Sequence, residues 1–347
     1  MLAKNRKNAV VIYTGMGVCL LAVTVSSILF GSVDIPLSSL VAVIQDSIGI
    51  APDAEVIAGH RYIIVDLRLP RALFALFIGS ALSVSGAMMQ GLFRNPLADP
   101  GLLGVSSGAA LGAASVIVLG WTLPLIPSLT LPISAFVGGS IATVVVMSLS
   151  LRSGKASVAN MLLAGIAINA LCGAATGLLV YVADDEELRT LTFWTMGSLG
   201  GASWPDLPYI AGLAFGPSII GLALARSVNA LLLGESEARL LGVNVEQLKF
   251  LIVVLVCIIM GTSVALTGMI GFVGLVVPHL CRMLLGSDNR KVFAGSMLLG
   301  ATLLLGADVL ARIVVSPAEL PIGIVTSVVG GPFFLFLLYR SRQMRLF

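Results

Sequence analysis

RLPRALFALFIGSALSVSGAMMQGLFRNPLADPGLLGVSSGAALG, residues 68–112, consists of two apolar runs joined by a short polar loop. The first run is about as long as the roughly 20 residues that cross a bilayer as a helix. In the loop, Asn95-Pro96-Leu97-Ala98-Asp99-Pro100-Gly101, two prolines remove backbone donors and interrupt helical hydrogen bonding. Beyond it Gly104, Gly108 and Gly112 recur every four residues on one helix face. Such a stripe of small residues lets a second helix approach closely, which assigns these three to helix packing. Neither run alternates polar and apolar residues, as a membrane β-strand of about ten residues would. The stretch reads as two membrane-crossing helices.

The rest of the chain continues this pattern. Of its 347 residues, 58% are hydrophobic, 38 are glycine and only 11% are charged, against roughly 25% charged in a soluble domain. Mean hydropathy is +1.06. So few charges cannot form the surface of a water-soluble enzyme. The net charge of +3 is too small and too dispersed for a nucleic-acid partner. The cysteines, Cys19, Cys172, Cys257 and Cys281, lie in or beside apolar runs without C-x-x-C spacing, and read as buried thiols. The first apolar run exceeds the core of a signal peptide and no A-x-A site follows it, so a retained span is expected.

Breaking the sequence at polar, proline-rich and charged stretches leaves about ten spans. They lie near 10–30, 70–90, 102–120, 130–150, 158–182, 207–225, 249–267, 270–286, 293–311 and 322–340. The expected fold class is all-α, a polytopic bundle forming a single transmembrane domain over 1–347. With both termini cytoplasmic, the alternation leaves only Arg61, Arg68, Arg71, Arg189 and Arg312 of the 20 Lys and Arg on the outside. That bias agrees with the positive-inside rule. The halves also echo each other: Gly79, Gly86, Pro96 and Gly104 match Gly261, Gly268, Pro278 and Gly286 at one constant offset. Opposite orientation of the two copies would make this an inverted repeat, a common plan for transport proteins.

Catalytic patterns are missing. Gly154-Lys155 is followed by Ala156, so there is no phosphate-cradling G-x-x-x-x-G-K-[ST], and His60 and His279 form no H-E-x-x-H. No metal site is expected in this chain. His279 reads as a hydrogen-bonded packing histidine, and the acidic run 184–187 as a solvated loop. Met88 and Met89 suit either a pathway or core filling.

RLPR at 68–71, NPLADPGLLGVSSGA at 95–109, GFVGLVVPHLCR at 271–282 and ELPIGIVTSVVGGPFF at 319–334 occur in the order and spacing of a known pattern. The chain resembles the transmembrane permeases of ABC importers for iron complexes and vitamin B12, the type II importers. LTFWTMGSLGGASW at 191–204 is most similar to the haem permeases. The resemblance implies ten helices per subunit, a homodimer around a translocation path, two cytoplasmic ATPase subunits and a periplasmic binding protein. ATP and Mg would sit on the ATPase partner, with no cofactor on this chain, and the location would be a bacterial inner membrane.

Residue roles follow from the same resemblance. Arg68, Arg71 and Arg312 lie at outer span ends, where guanidinium groups could pair with a binding protein's carboxylates. The inner loop 226–248 carries Glu235, Glu237, Ala238, Arg239, Leu241 and Gly242, and reads as a short amphipathic helix ended by glycine. In the family this loop couples to the ATPase. Asn95 and Leu97, with Ser157 at the start of the fifth span, resemble the family's cytoplasmic gate. Asp308, costly in lipid, should face the bundle interior. A ferric-siderophore or cobalamin permease is the alternative within the family. An ion-coupled secondary transporter is the alternative outside it, and would need membrane-embedded carboxylates, of which only Asp308 qualifies.

Overall fold

All of the expected spans fall on helices in the computed structural model, which describes residues 2–47, 57–152 and 155–344. In chain order the α-helices are α1 (Leu2–Leu29), α2 (Leu37–Ser47), α3 (Ile57–Arg61), α4 (Leu69–Leu92), α5 (Val105–Leu119), α6 (Thr130–Ser150), α7 (Val158–Val182), α8 (Asp185–Met196), α9 (Leu207–Ile210), α10 (Gly216–Leu232), α11 (Glu235–Leu240), α12 (Val245–Thr267), α13 (Val273–Leu285), α14 (Asn289–Ile313) and α15 (Ile322–Met344). Two π-helical segments, Tyr62–Arg68 and Ala211–Phe215, join α3 to α4 and α9 to α10. Among the described residues, strand pairing is limited to Leu151–Arg152 against Lys155–Ala156.

Seven helices among the described residues are long and apolar enough to cross a membrane. Three further expected spans coincide with shorter apolar segments, Val105–Leu119, Val273–Leu285 and Ile322–Phe336. Two of these are trimmed for local reasons. Residues 100–103 form a 3-10 turn that ends at Gly104 with φ +80°, and α13 starts only after Phe272 at φ +68°.

The bundle is built around α4, 83% of whose apolar stretch is inside the protein. It contacts α10, α12, α13 and α14. A helix surrounded in this way needs small residues where neighbours cross it. Gly86 meets the Gly274 carbonyl of α13, and Gly79 the Gly300 carbonyl of α14, so that a Cβ at either position would overlap backbone. Ser80 and Ser83 donate to the Met297 and Ser296 carbonyls of α14 at 2.9 and 2.6 Å. These hydroxyls give the close crossing hydrogen bonds as well as van der Waals contact. Met88 and Met89 face this core and are fully buried.

A second packing unit is formed by α5, α6 and α7. Gly108 and Gly112 of α5 lie against the Gly138 and Ser134 carbonyls of α6. Gly104 precedes that contact in a left-handed conformation facing Ile168 of α7. By contrast α7 is only 17% inside the protein, leaving Leu163, Ile166, Leu171 and Tyr181 exposed.

Three sequence expectations are corrected. One glycine pair of the two halves does not occupy matching points: Gly86 lies inside α4, whereas Gly268 ends α12 at φ +69°, although Gly79 and Gly261 both lie inside helices and Gly104 and Gly286 both flank one at positive φ. The acidic run is no loose loop, because Asp184 and Glu187 form a reciprocal capping box that starts α8. Of the cysteines only Cys281 is buried; Cys19 is exposed on α1.

Candidate functional site

Charged residues within this apolar bundle gather at its two ends. At one end α10 leads through Gly234 into α11, where Glu235 and Glu237 occupy the first turn and Arg239 the last. That order complements the helix dipole. Gly242, at φ +81°, closes the helix: its N–H donates to the Arg239 carbonyl, and Val243 N–H to the Ala238 carbonyl, both at 3.0 Å. This is the Schellman arrangement, which satisfies carbonyls a six-residue helix would otherwise leave open. Ala238 is buried, while Leu240 and Leu241 are 88% and 63% exposed. The apolar face offered outward therefore belongs to these leucines, and Ala238 anchors the opposite side.

The same end contains two residues to which the sequence reading gave no role of their own. Lys249, only 1% exposed, places its Nζ 2.8 Å from Glu235 Oε1 and donates to the Ala156 carbonyl at 2.7 Å. Glu246 accepts from Ala156 N–H at 2.9 Å and from Arg239 at 3.0 Å. The sequence signal was the unusual position of a lysine at the start of an apolar helix, four residues after Val245. Ser157, next to Ala156, is the N-cap of α7 and accepts from Asn160 N–H at 3.4 Å. Asn95 Oδ1 accepts from Leu97 N–H at 2.9 Å in an Asx turn, and both residues are exposed. In the same loop Asp99 accepts from Gly101 N–H at 2.7 Å. Burial pushes its carboxyl above the ordinary range, against that hydrogen bond.

The opposite end holds the three arginines, and their guanidinium groups are already engaged within the protein. Arg68 is 7% exposed and donates to the Ile28, Leu29 and Val33 carbonyls. Arg312, 4% exposed, donates to the Ser27 and Phe30 carbonyls at 3.0 and 3.2 Å. Both therefore close the C-terminus of α1, where carbonyls lack intrahelical partners and cations are favoured. Gly31 makes this possible, since a Cβ there would lie 2.8 Å from the Arg68 guanidinium. Arg71 bridges Asp308 at 2.8 Å and Glu319 at 2.9 Å, and Arg312 pairs with Asp308 at 3.1 Å. Asp308 is fully buried between two guanidinium groups. A cavity of about 350 Å³ opens over this network, lined by Arg68, Arg71, Arg312, Glu319, Leu67 and Gly200 among others.

His279 differs from expectation. Its ring packs edge-on to Phe333 at 6.1 Å, and its buried Nδ1 finds no hydrogen-bond partner among the described residues. Among the described residues no group of three His, Cys, Asp or Glu side chains could hold a metal ion.

The chain as a whole is similar to known proteins. The hemin transport system permease protein HmuU of Yersinia pestis is 52% identical over 82% of this chain and 85% of its own. A vitamin B12 import system permease protein, BtuC of Vibrio vulnificus, is 41% identical over 85% of this chain and 88% of its own. A solved structure described as an inward-facing metal-chelate type ABC transporter superposes with a TM-score of 0.82 at 33% identity, covering 95% of this chain and 99% of that one. Residues 19–340 match the FecCD transport family as a whole. On this match and these identities, the chain belongs to the FecCD transport family.

Proposed function

We propose that this chain is the permease subunit of an ATP-driven importer that carries haem, or a closely related iron complex, across a bacterial inner membrane. The observation that carries the substrate is the 52% identity to a hemin permease, against 41% to a vitamin B12 permease. In this reading ten helices span the bilayer, both termini are cytoplasmic, and two copies enclose the path. The exposed apolar face of α7, with Leu163, Ile166 and Leu171, supports an apolar surface between copies or against lipid. Two cytoplasmic ATPase subunits, holding ATP and Mg, would engage α11 through Leu240 and Leu241, with Glu235, Glu237 and Arg239 at the border. Asn95, Leu97 and Ser157 would form the gate on that side.

A periplasmic binding protein would dock at the opposite end. Because Arg71 is already paired with Glu319, docking there means exchange: a partner carboxylate replaces the half-exposed Glu319 at the guanidinium. Asp308 argues against an ion-coupled carrier, since two arginines already neutralise it. Uptake into proteoliposomes is the test, run with haem, a ferric siderophore and cobalamin in parallel. Haem uptake that requires the ATPase, ATP and the binding protein is expected. Uptake by this chain alone under an ion gradient would sink the proposal, and preference for either other substrate would move it within the family.

A further inference from the structure

The contacts at the α11 end converge on a residue without a charge of its own. Ala156 is 4% exposed and directly precedes Ser157, the N-cap of α7. Both of its backbone polar groups are held by side chains of α12: the N–H by Glu246 Oε2 at 2.9 Å and the carbonyl by Lys249 Nζ at 2.7 Å. The same two side chains reach α11. Lys249 Nζ lies 2.8 Å from Glu235 Oε1, and Glu246 Oε1 lies 3.0 Å from the Arg239 guanidinium.

A loop at a membrane surface ordinarily satisfies its backbone with water. Here the backbone before α7 is clamped at two points by one acid and one base, each also tied to α11. Lys249 has exchanged its hydration for carboxylates and a carbonyl, so separating α11 from Ala156 would strand a buried ammonium. The cheaper motion keeps the clamp closed and carries both elements together. Networks of this kind transmit a displacement when the elements they join have two arrangements. We infer that Glu246 and Lys249 are positioning residues that pass displacement of α11 to the start of α7, so that the gate beside Ser157 follows the ATPase. The inference rests on the proposed import function.

The full complex with ATPase and binding protein, in proteoliposomes with haem as the probe, tests it. Haem uptake per ATP hydrolysed is expected to fall about fivefold or more in Glu246→Ala and Lys249→Met. Glu246→Gln, which keeps an acceptor for Ala156 N–H, should retain most of the wild-type ratio. Spin labels at the exposed positions Ser236→Cys of α11 and Ala159→Cys of α7, in a cysteine-free background, give a second readout. Their separation should stay constant on ATP binding in the wild type and change in Glu246→Ala. An unchanged uptake ratio together with an unchanged separation overturns the clamp, as does a proportional loss of uptake and hydrolysis, which marks a merely structural role. If Lys249→Met does not assemble, Glu246→Ala decides alone. Wild-type complex that takes up no haem refutes the import reading instead, while the label separation still reports on the clamp.

Discussion

Asp308 illustrates how a single polar residue is accommodated in an apolar helix. Its carboxylate is fully buried, yet Arg71 and Arg312 lie within 2.8 and 3.1 Å of it. Removing it would leave the buried Arg312 guanidinium without a carboxylate and Arg71 with only Glu319 at the half-exposed edge. Breaking a buried pair in this way costs about 3–5 kcal/mol. Asp308→Ala should therefore lower the unfolding midpoint in detergent clearly, whereas Glu319→Gln, at the half-exposed edge of the same network, should move it little. The interior placement of Asp308 was legible from its cost in lipid. Arg312, four residues further along the same helix, is a local partner, but Arg71 is 237 residues away and no local pattern marks it. The arginines were legible as a group at one face, but their exposure was not. Whether a guanidinium meets solvent or the carbonyls of α1 depends on how α1 docks, which its own residues leave open.

Among the helices, those governed by local chemistry matched their sequence signals best. Gly242 ends α11 because the left-handed conformation there costs glycine least, and the acidic-to-basic order along α11 follows the dipole. α14 starts from the same kind of rule. Asp288 is its N-cap, accepting from Arg290 N–H at 3.1 Å and from Asn229 Nδ2 at 2.7 Å. The Arg290 guanidinium foremost, and Asn229 after it, hold this carboxyl down at about 2, below its ordinary 3.8. The unfolded chain thus takes up the proton first as pH falls. The stabilisation from this cap should be complete above about pH 4 and disappear towards pH 2. Asp288→Ala should cost about 1 kcal/mol near neutral pH, and its unfolding midpoint should converge with the wild type's on acidification. A gap that persists at pH 2 would exclude the cap as its origin. The glycines of α4 show the reverse case. The stripe on α5 was visible as a four-residue repeat; Gly79 and Gly86, seven apart, also share a face of α4, but a helix buried on all sides has no polar face to contrast with it, so nothing local marked where its neighbours cross.

For the molecule as a whole, contacts group the loops in the way the alternating spans require. Residues 156, 235, 246 and 249 meet at one end, and 28, 68, 71, 308, 312 and 319 at the other. Which end faces the cytoplasm is open to direct measurement with a membrane-impermeant maleimide in a cysteine-free background. Leu240→Cys, 88% exposed on the α11 side, should label only in inverted vesicles, and Leu125→Cys, 94% exposed beyond α5, only in right-side-out ones. The reverse pattern would invert the orientation. Helical class, the positions of the apolar helices, the packing stripe on α5 and the short helix α11 were legible from composition and spacing, because burial in lipid and local backbone chemistry depend on near neighbours. The closure of α1 by Arg68 and Arg312, the neutralised Asp308 and the clamp on Ala156 emerged only on folding. Each joins groups far apart in the chain, and in an apolar bundle a charge takes whichever partner the packed helices bring within reach.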